Sequence, residues 1–219
     1  MRYRPLVSLL PSAFGLNDAR ADRRTAGIAA RLVMRRAGFL LLAALGLSAC
    51  SSPSIDGELY VDKAPEFRLE RFFDGRIKAW GIVQDRSGNL VQRFEADIIG
   101  SLNDGTLTLD ETFRYAFGDG PEKRVWTITK DGENGYDGSA GDIAGPAAGT
   151  AYGNAMFWGY EMDLPVGDDS YRVTFEDWIW AFDQKTIVNR SYVKKFGLVF
   201  AEVTIFMQKM SGDPAEDTE

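Results

Sequence analysis

The chain has no histidine, and Cys50 is the only cysteine among its 219 residues. Without them it cannot build a Cys/His zinc site, a Cys–His nucleophilic pair, a dithiol redox centre or an internal disulfide. A fold held in an oxidising compartment would therefore rest on its core alone. Positive charge is also scarce. Residues 1–49 carry eight of the 25 Lys/Arg and two of the 32 Asp/Glu, which leaves residues 50–219 near −13. Such a body repels phosphate backbones, so nucleic acid is not an expected partner, and it gains nothing from anionic headgroups. No Asp-x-Asp-x-Asp-Gly loop is present, so nothing points to a calcium site. No cofactor or metal is called for. The longest apolar run, Phe39 to Leu45, is too short to span a bilayer comfortably.

That short run has a specific setting. Met34 is followed by basic Arg35-Arg36, then the apolar run, then Leu47-Ser48-Ala49-Cys50. Basic, apolar and small-residue zones in this order predict a cleaved signal at 34–49, and Leu-Ser-Ala-Cys matches the bacterial lipobox. The lone thiol is thus the expected lipidation site, bearing acyl chains of the palmitate type. At about 0.8 kcal/mol per buried CH₂, three such chains anchor almost irreversibly. Residues 1–33 show no periodicity that would fold and read as an over-extended gene start. Ser51, where aspartate would mark inner-membrane retention, points to the inner leaflet of the outer membrane, facing the periplasm. Residues 50–65 read as a lipidated tether, 66–210 as one domain and 211–219 as a disordered acidic tail.

The domain alternates strand-like runs with turn signals. Nine runs can be counted: Arg76 to Gln84, Leu90 to Leu102, Thr106 to Phe117, Arg124 to Lys130, Tyr136 to Gly138, Ala155 to Leu164, Tyr171 to Phe182, Lys185 to Lys194 and Leu198 to Lys209. Gly/Asp/Asn turns separate them, which predicts an antiparallel meander. Several runs alternate strictly, with Leu107, Leu109, Phe113 and Tyr115 on one face of the third. One dry and one wet face, with long strands that must not expose edges, predict an all-β, up-and-down barrel of eight to ten strands. A two-sheet sandwich is the alternative. Pro65 to Phe73 is expected to lead in as a short helix or turn.

Three blocks carry a family resemblance: Phe73-Asp74-Gly75-Arg76-Ile77-Lys78-Ala79-Trp80-Gly81, Thr108-Leu109-Asp110-Glu111-Thr112-Phe113-Arg114-Tyr115 and Val188-Asn189-Arg190, with Arg124-Val125-Trp126-Thr127-Ile128 also fitting. Over roughly residues 60–210 the chain resembles the DUF3833 lipoproteins of proteobacteria. The resemblance implies a lipocalin-like barrel with no assigned activity and a lipid context.

The residues that could carry chemistry are polar ones on apolar faces. Glu111 falls between Leu109 and Phe113, and Asp177 between Phe175 and Ile179. A buried carboxylate needs a partner or a shifted pKa, and Arg190, Arg124 or Arg76 could supply one. Asn189 and Arg190 are adjacent, so only one of them can face inward. Trp126 and Trp158 complete the candidate pocket, which Glu111, Asp177, Asn189 and Arg190 would serve as polar anchors for an apolar, fatty-acyl or isoprenoid-like ligand. Trp80, Trp178, Trp180, Phe157, Tyr160 and Phe175 could line a cavity or fill it, and Trp178 and Trp180 share the face opposite Asp177. Two further expectations compete with ligand binding: a solid-core envelope scaffold, and a lipid-acting enzyme using Glu111 or Asp177. Glu176-Asp177 cannot act as a pair because strand neighbours point to opposite faces. Gly145-Pro146-Ala147-Ala148-Gly149 does not lead into a helix and is no phosphate loop.

Overall fold

A computed structural model of the chain describes residues 53–118, 120–166 and 169–211. The expected signal, the extension before it, Cys50 and the acidic end from 212 onward lie outside the described residues. Ten antiparallel strands follow in order: β1 Gly75–Asp85, β2 Leu90–Asn103, β3 Thr106–Tyr115, β4 Lys123–Asp131, β5 Gly135–Ala140, β6 Ala147–Tyr152, β7 Ala155–Val166, β8 Asp169–Ala181, β9 Thr186–Lys195 and β10 Leu198–Lys209. Each pairs with its chain neighbours, and β1 pairs with β10 from Ile77↔Lys209 to Asp85↔Ala201. The meander is therefore a closed up-and-down barrel, as the alternation predicts, and not a sandwich.

Alternation decides which side chains fill it. Along β2, Gln92, Phe94, Ala96, Ile98 and Gly100 are buried while the residues between them face water. The outer face carries ion pairs across strands, including Lys78 with Glu95 and Asp97, and Arg172 with Asp163. Exposed pairs of this kind contribute little to stability, but they keep the outside soluble.

One strand more is present than the nine readable runs. β6, Ala-Ala-Gly-Thr-Ala-Tyr, is built of residues with low strand propensity, so it read as a glycine-rich loop. Its composition follows from a neighbour. A side chain on Gly149 would meet the Trp158 ring at 2.4 Å, and one on Gly138 of β5 would meet it at 2.6 Å. An inward indole on β7 forces small residues on the next two strands of the wall, β6 and β5.

A short helix, α1 Leu69–Phe73, closes one end of the barrel, where a helix or turn was expected. Phe67, Leu69, Phe72 and Phe73 are buried there. The Tyr136 hydroxyl donates to Glu70 Oε2 at 2.7 Å, and Lys209 Nζ donates to the Arg71 carbonyl at 2.7 Å. The backbone of α1 sits so tightly on β2 that a Cβ on Gly100 would fall 1.6 Å from the Phe73 oxygen. Gly100→Ala should therefore push α1 off the barrel and destabilise the fold by roughly 1–3 kcal/mol or more. The urea midpoint measures this, and an unchanged midpoint would disprove the close seating.

Candidate functional site

The barrel is not filled. It encloses a cavity of about 390 Å³, in the range of small-molecule sites. Its floor is Leu69 and Phe73 of α1, and its walls are inward residues such as Ile98, Leu109, Ile179 and Ile205. Tyr115, Pro121, Phe200 and Ala201 lie toward the opposite, open end. The lining is overwhelmingly apolar. Its charged residues, among those described, are Glu111, Arg124 and Asp177.

Strand register brings these groups together. Glu111 on β3 stands directly across from Arg124 on β4. Arg124 lies between the Phe113 and Trp126 rings, its guanidinium carbon 6.0 and 5.9 Å from their centroids. Two of its nitrogens, Nε and Nη2, reach Asp142 Oδ2 at 2.9 and 2.7 Å. On the far wall Asp177 of β8 faces Trp158 on one side and Ser191 on the other. Ser191 Oγ donates to Asn189 Oδ1 at 3.1 Å, and the Asn189 amide donates to the Trp178 carbonyl at 3.4 Å. Asp177 Oδ1 is buried without a hydrogen-bond partner among the described residues. Trp126 packs edge-on against Trp158 at 5.7 Å and Tyr160 at 5.3 Å, and Tyr160 stacks on Phe175 at 4.9 Å.

The apolar surroundings set the protonation states. Desolvation pushes the Glu111 carboxyl up to about 7; Arg124 opposes this, while Asp142, Asp177 and Asp110 add to it. Desolvation likewise pushes Asp177 up to about 7 against the pull of the Ser191 hydroxyl and Arg124. Burial raises the Tyr160 phenol well above its usual value, so it stays a neutral donor. The cavity thus holds two carboxyls that are partly protonated near neutrality, beside one arginine already engaged by an aspartate. Such groups can accept or give hydrogen bonds, and can exchange protons with a bound molecule.

Five of the six pocket residues expected from sequence meet here: Glu111, Trp126, Trp158, Asp177 and Asn189. Arg190 does not. β9 turns Asn189 inward and Arg190 outward, where it pairs with Glu202 at 3.7 Å. The carboxylate neighbour is instead Arg124, one of the three candidates, while Arg76 shares the outward alternation of β1. Trp80 is on the outer face against Phe206, and Trp178 and Trp180 are covered from outside by Tyr60. Tyr160 and Phe175, named only as aromatics, belong to the wall. Asp142 was not foreseen. It lies in the glycine-rich connection after β5, where no periodicity marks it.

Among solved structures, the fold is similar to that of the S-type phycobiliprotein lyase of Guillardia theta. The identity is 10% and the TM-score 0.50, covering 73% of this chain and 100% of that one. Likeness at this identity bears on the fold alone. No curated protein matches the sequence. The family described as protein of unknown function DUF3833 matches residues 44–209, in agreement with the resemblance of the sequence blocks. The chain belongs to the DUF3833 family.

Proposed function

We propose that the protein is an envelope lipoprotein, anchored through acyl chains on Cys50, whose barrel binds or carries an apolar ligand of the fatty-acyl or isoprenoid kind. The observation that carries the ligand reading is the cavity of about 390 Å³, apolar along its walls and polar at one cluster. Pockets of this size and lining bury most of a small apolar molecule, and a few placed polar groups orient it. A scaffold with a solid core would not need the cavity. The lipobox at Leu47 to Cys50 supports the anchor, and Ser51 after it supports a site of action at the periplasmic face of the outer membrane.

A second reading has its own support. Glu111 and Asp177, both near 7, suit general acid–base work on a lipid substrate, and the structurally similar protein is named a lyase. In that reading Arg124, not Arg190, is the cation beside the reacting groups.

Four results are expected. Native mass spectrometry of protein taken from its own membranes should find a co-purifying apolar molecule. Val203→Trp, which fills the cavity from β10, should lower its occupancy by about tenfold or more, as lost pocket volume implies. Occupancy unchanged in that variant would place the ligand elsewhere. Cys50→Ser should leave the membrane fraction and lose the mobility shift of acylation; a variant that still fractionates with membranes would remove the anchor from the proposal.

The fourth concerns pH. Unfolded carboxyls ionise near pH ~4, whereas folded Glu111 and Asp177 are pushed up to about 7. Between those values the native chain holds more protons than the unfolded one, so stability falls as pH rises through the window. The full penalty is present above it. The expected loss between pH ~5 and ~8 is on the order of 2–4 kcal/mol, read from urea midpoints. Glu111→Gln and Asp177→Asn should each flatten the profile. The carboxylates whose pKa is lowered by partners, such as Glu70 and Asp97, act only at lower pH. A wild-type chain more stable on the alkaline side would contradict the buried pair.

A further inference from the structure

Hydrogen-bonding capacity in the cavity is lopsided. Arg124 is the cation of the lining among the described residues, and it is already committed to Asp142 through Nε and Nη2. Its flanks are occupied by Phe113 and Trp126. Of the neutral donors near Asp177, the Ser191 hydroxyl is shared between Asn189 and Asp177, and the Asn189 amide donates to the Trp178 carbonyl. The acceptors are engaged only in part. Among the described residues no hydrogen bond or ion pair reaches Glu111 at the distances of a direct contact, and Asp177 Oδ1 is buried without a donor. The last torsion of an aspartate is broad and two-fold, so either oxygen can turn to the cavity. The Tyr160 hydroxyl, close to Asp177 and Arg124, can satisfy at most one of these acceptors.

Resting on the ligand-binding reading above, we infer that the cavity takes an apolar chain whose head donates hydrogen bonds, a hydroxyl or an amine, and that it disfavours a free carboxylate. A hydroxyl or ammonium entering between Glu111 and Asp177 meets unpaired acceptors. A carboxylate entering the same place meets two carboxyls, and shares Arg124 with Asp142, which already holds Nε and Nη2. Where Glu111 and Asp177 are ionised, buried acceptors that lack donors reject a head that cannot donate far more sharply than apolar walls reject a change of length. The specificity therefore sits in the head group and leaves the chain loosely read.

The test is displacement of N-phenyl-1-naphthylamine, a neutral fluorescent probe, from the full chain stripped of bound lipid. Hexadecanol, hexadecylamine and hexadecanoate are compared as competitors. Hexadecanol and hexadecylamine should displace the probe at least about tenfold more tightly than hexadecanoate, the size of one charged hydrogen bond lost and one acceptor left bare. Asp142→Asn, a change at a partly exposed loop residue that frees Arg124, should shift the ranking toward hexadecanoate. Glu111→Gln and Asp177→Asn, which replace an acceptor oxygen by a donor, should shift it the same way at the expense of hexadecylamine. Hexadecanoate equal to or tighter than hexadecanol in the wild-type chain overturns the head-group inference while leaving the apolar-ligand reading standing. Displacement by none of the three overturns both.

Discussion

The pairing of β1 with β10 is the constraint from which the rest of the molecule follows. It abolishes the two edges that a ten-stranded meander would otherwise expose, and it commits the sheet to a fixed circumference. Eight strands enclose an interior that side chains can just fill. Ten enclose more, and the inward residues here do not make up the difference. Ala79, Ala96, Ala147 and Gly149 face inward from three different strands. Trp126, Trp158 and Phe175 occupy part of the width from the others. The cavity is what remains between a wall set by strand number and a lining that is small on one side.

The polar cluster is tolerated because of where its charges are balanced. An isolated carboxylate among such walls would cost several kcal/mol, and no ion pair reaches Glu111 or Asp177 directly to offset it. Protonation lowers the cost instead, as the upward shift of both groups shows. Arg124 has no such escape, since a guanidinium does not lose its proton, and it is the member that holds a direct partner, Asp142. Each group thus meets its burial by the one route open to it. Truncating Asp142 would leave a buried cation bare, whereas an amide at Glu111 would exchange one neutral head for another. A barrel selected for stability alone would replace all three with leucine or phenylalanine. Their presence at the centre of the lining is what separates this interior from a packing solution.

Much of this was legible in the sequence, and the failures have causes. Strands β1 to β4 and β7 to β10 could be read because each carries bulky residues at every second position. β6 could not, because Trp158 takes up the space its side chains would have used. Alternation put Glu111 and Asp177 inside and showed that Asn189 and Arg190 must part, but it does not say which of those two turns in. That depends on the register of β9 against β8, where Asn189 faces Ile179 and Ser191 faces Asp177. Arg124 was one of three candidate partners until the β3–β4 register set it opposite Glu111. Asp142 sits in a connection without period, just past the end of β5, where continuing the β4–β5 register beyond Trp126↔Ala140 sets it opposite Arg124.

The two ends of the barrel are physically unlike, and this bears on how anything reaches the cluster. At the α1 end the chain crosses the barrel before β1 begins. Gly57 lies against Tyr152, the carbonyls of Tyr60 and Lys63 lie against Gly153, and the Phe67 amide donates to the Gly153 carbonyl at 2.7 Å. Passage there would break the Tyr136–Glu70 and Lys209–Arg71 hydrogen bonds and strip apolar contacts from Phe72 and Phe73. At the other end the rim is made of hairpin tips, with Phe117, Leu198 and Phe200 partly exposed and Phe196 93% exposed. Phe196 holds a left-handed backbone, φ 52°, that a phenylalanine adopts only when the turn imposes it. An apolar molecule meets greasy side chains at the rim before it meets the cavity, and entry there leaves the α1 contacts intact. Residues 54–66 pack at the opposite end and leave that rim clear, and Glu111 and Asp177 lie further along their strands than Tyr115 and Phe200 at the mouth. A chain entering head first would therefore have to desolvate its polar head before it reached any polar group that could receive it. That ordering makes head-group chemistry, rather than access, the step at which this barrel can discriminate.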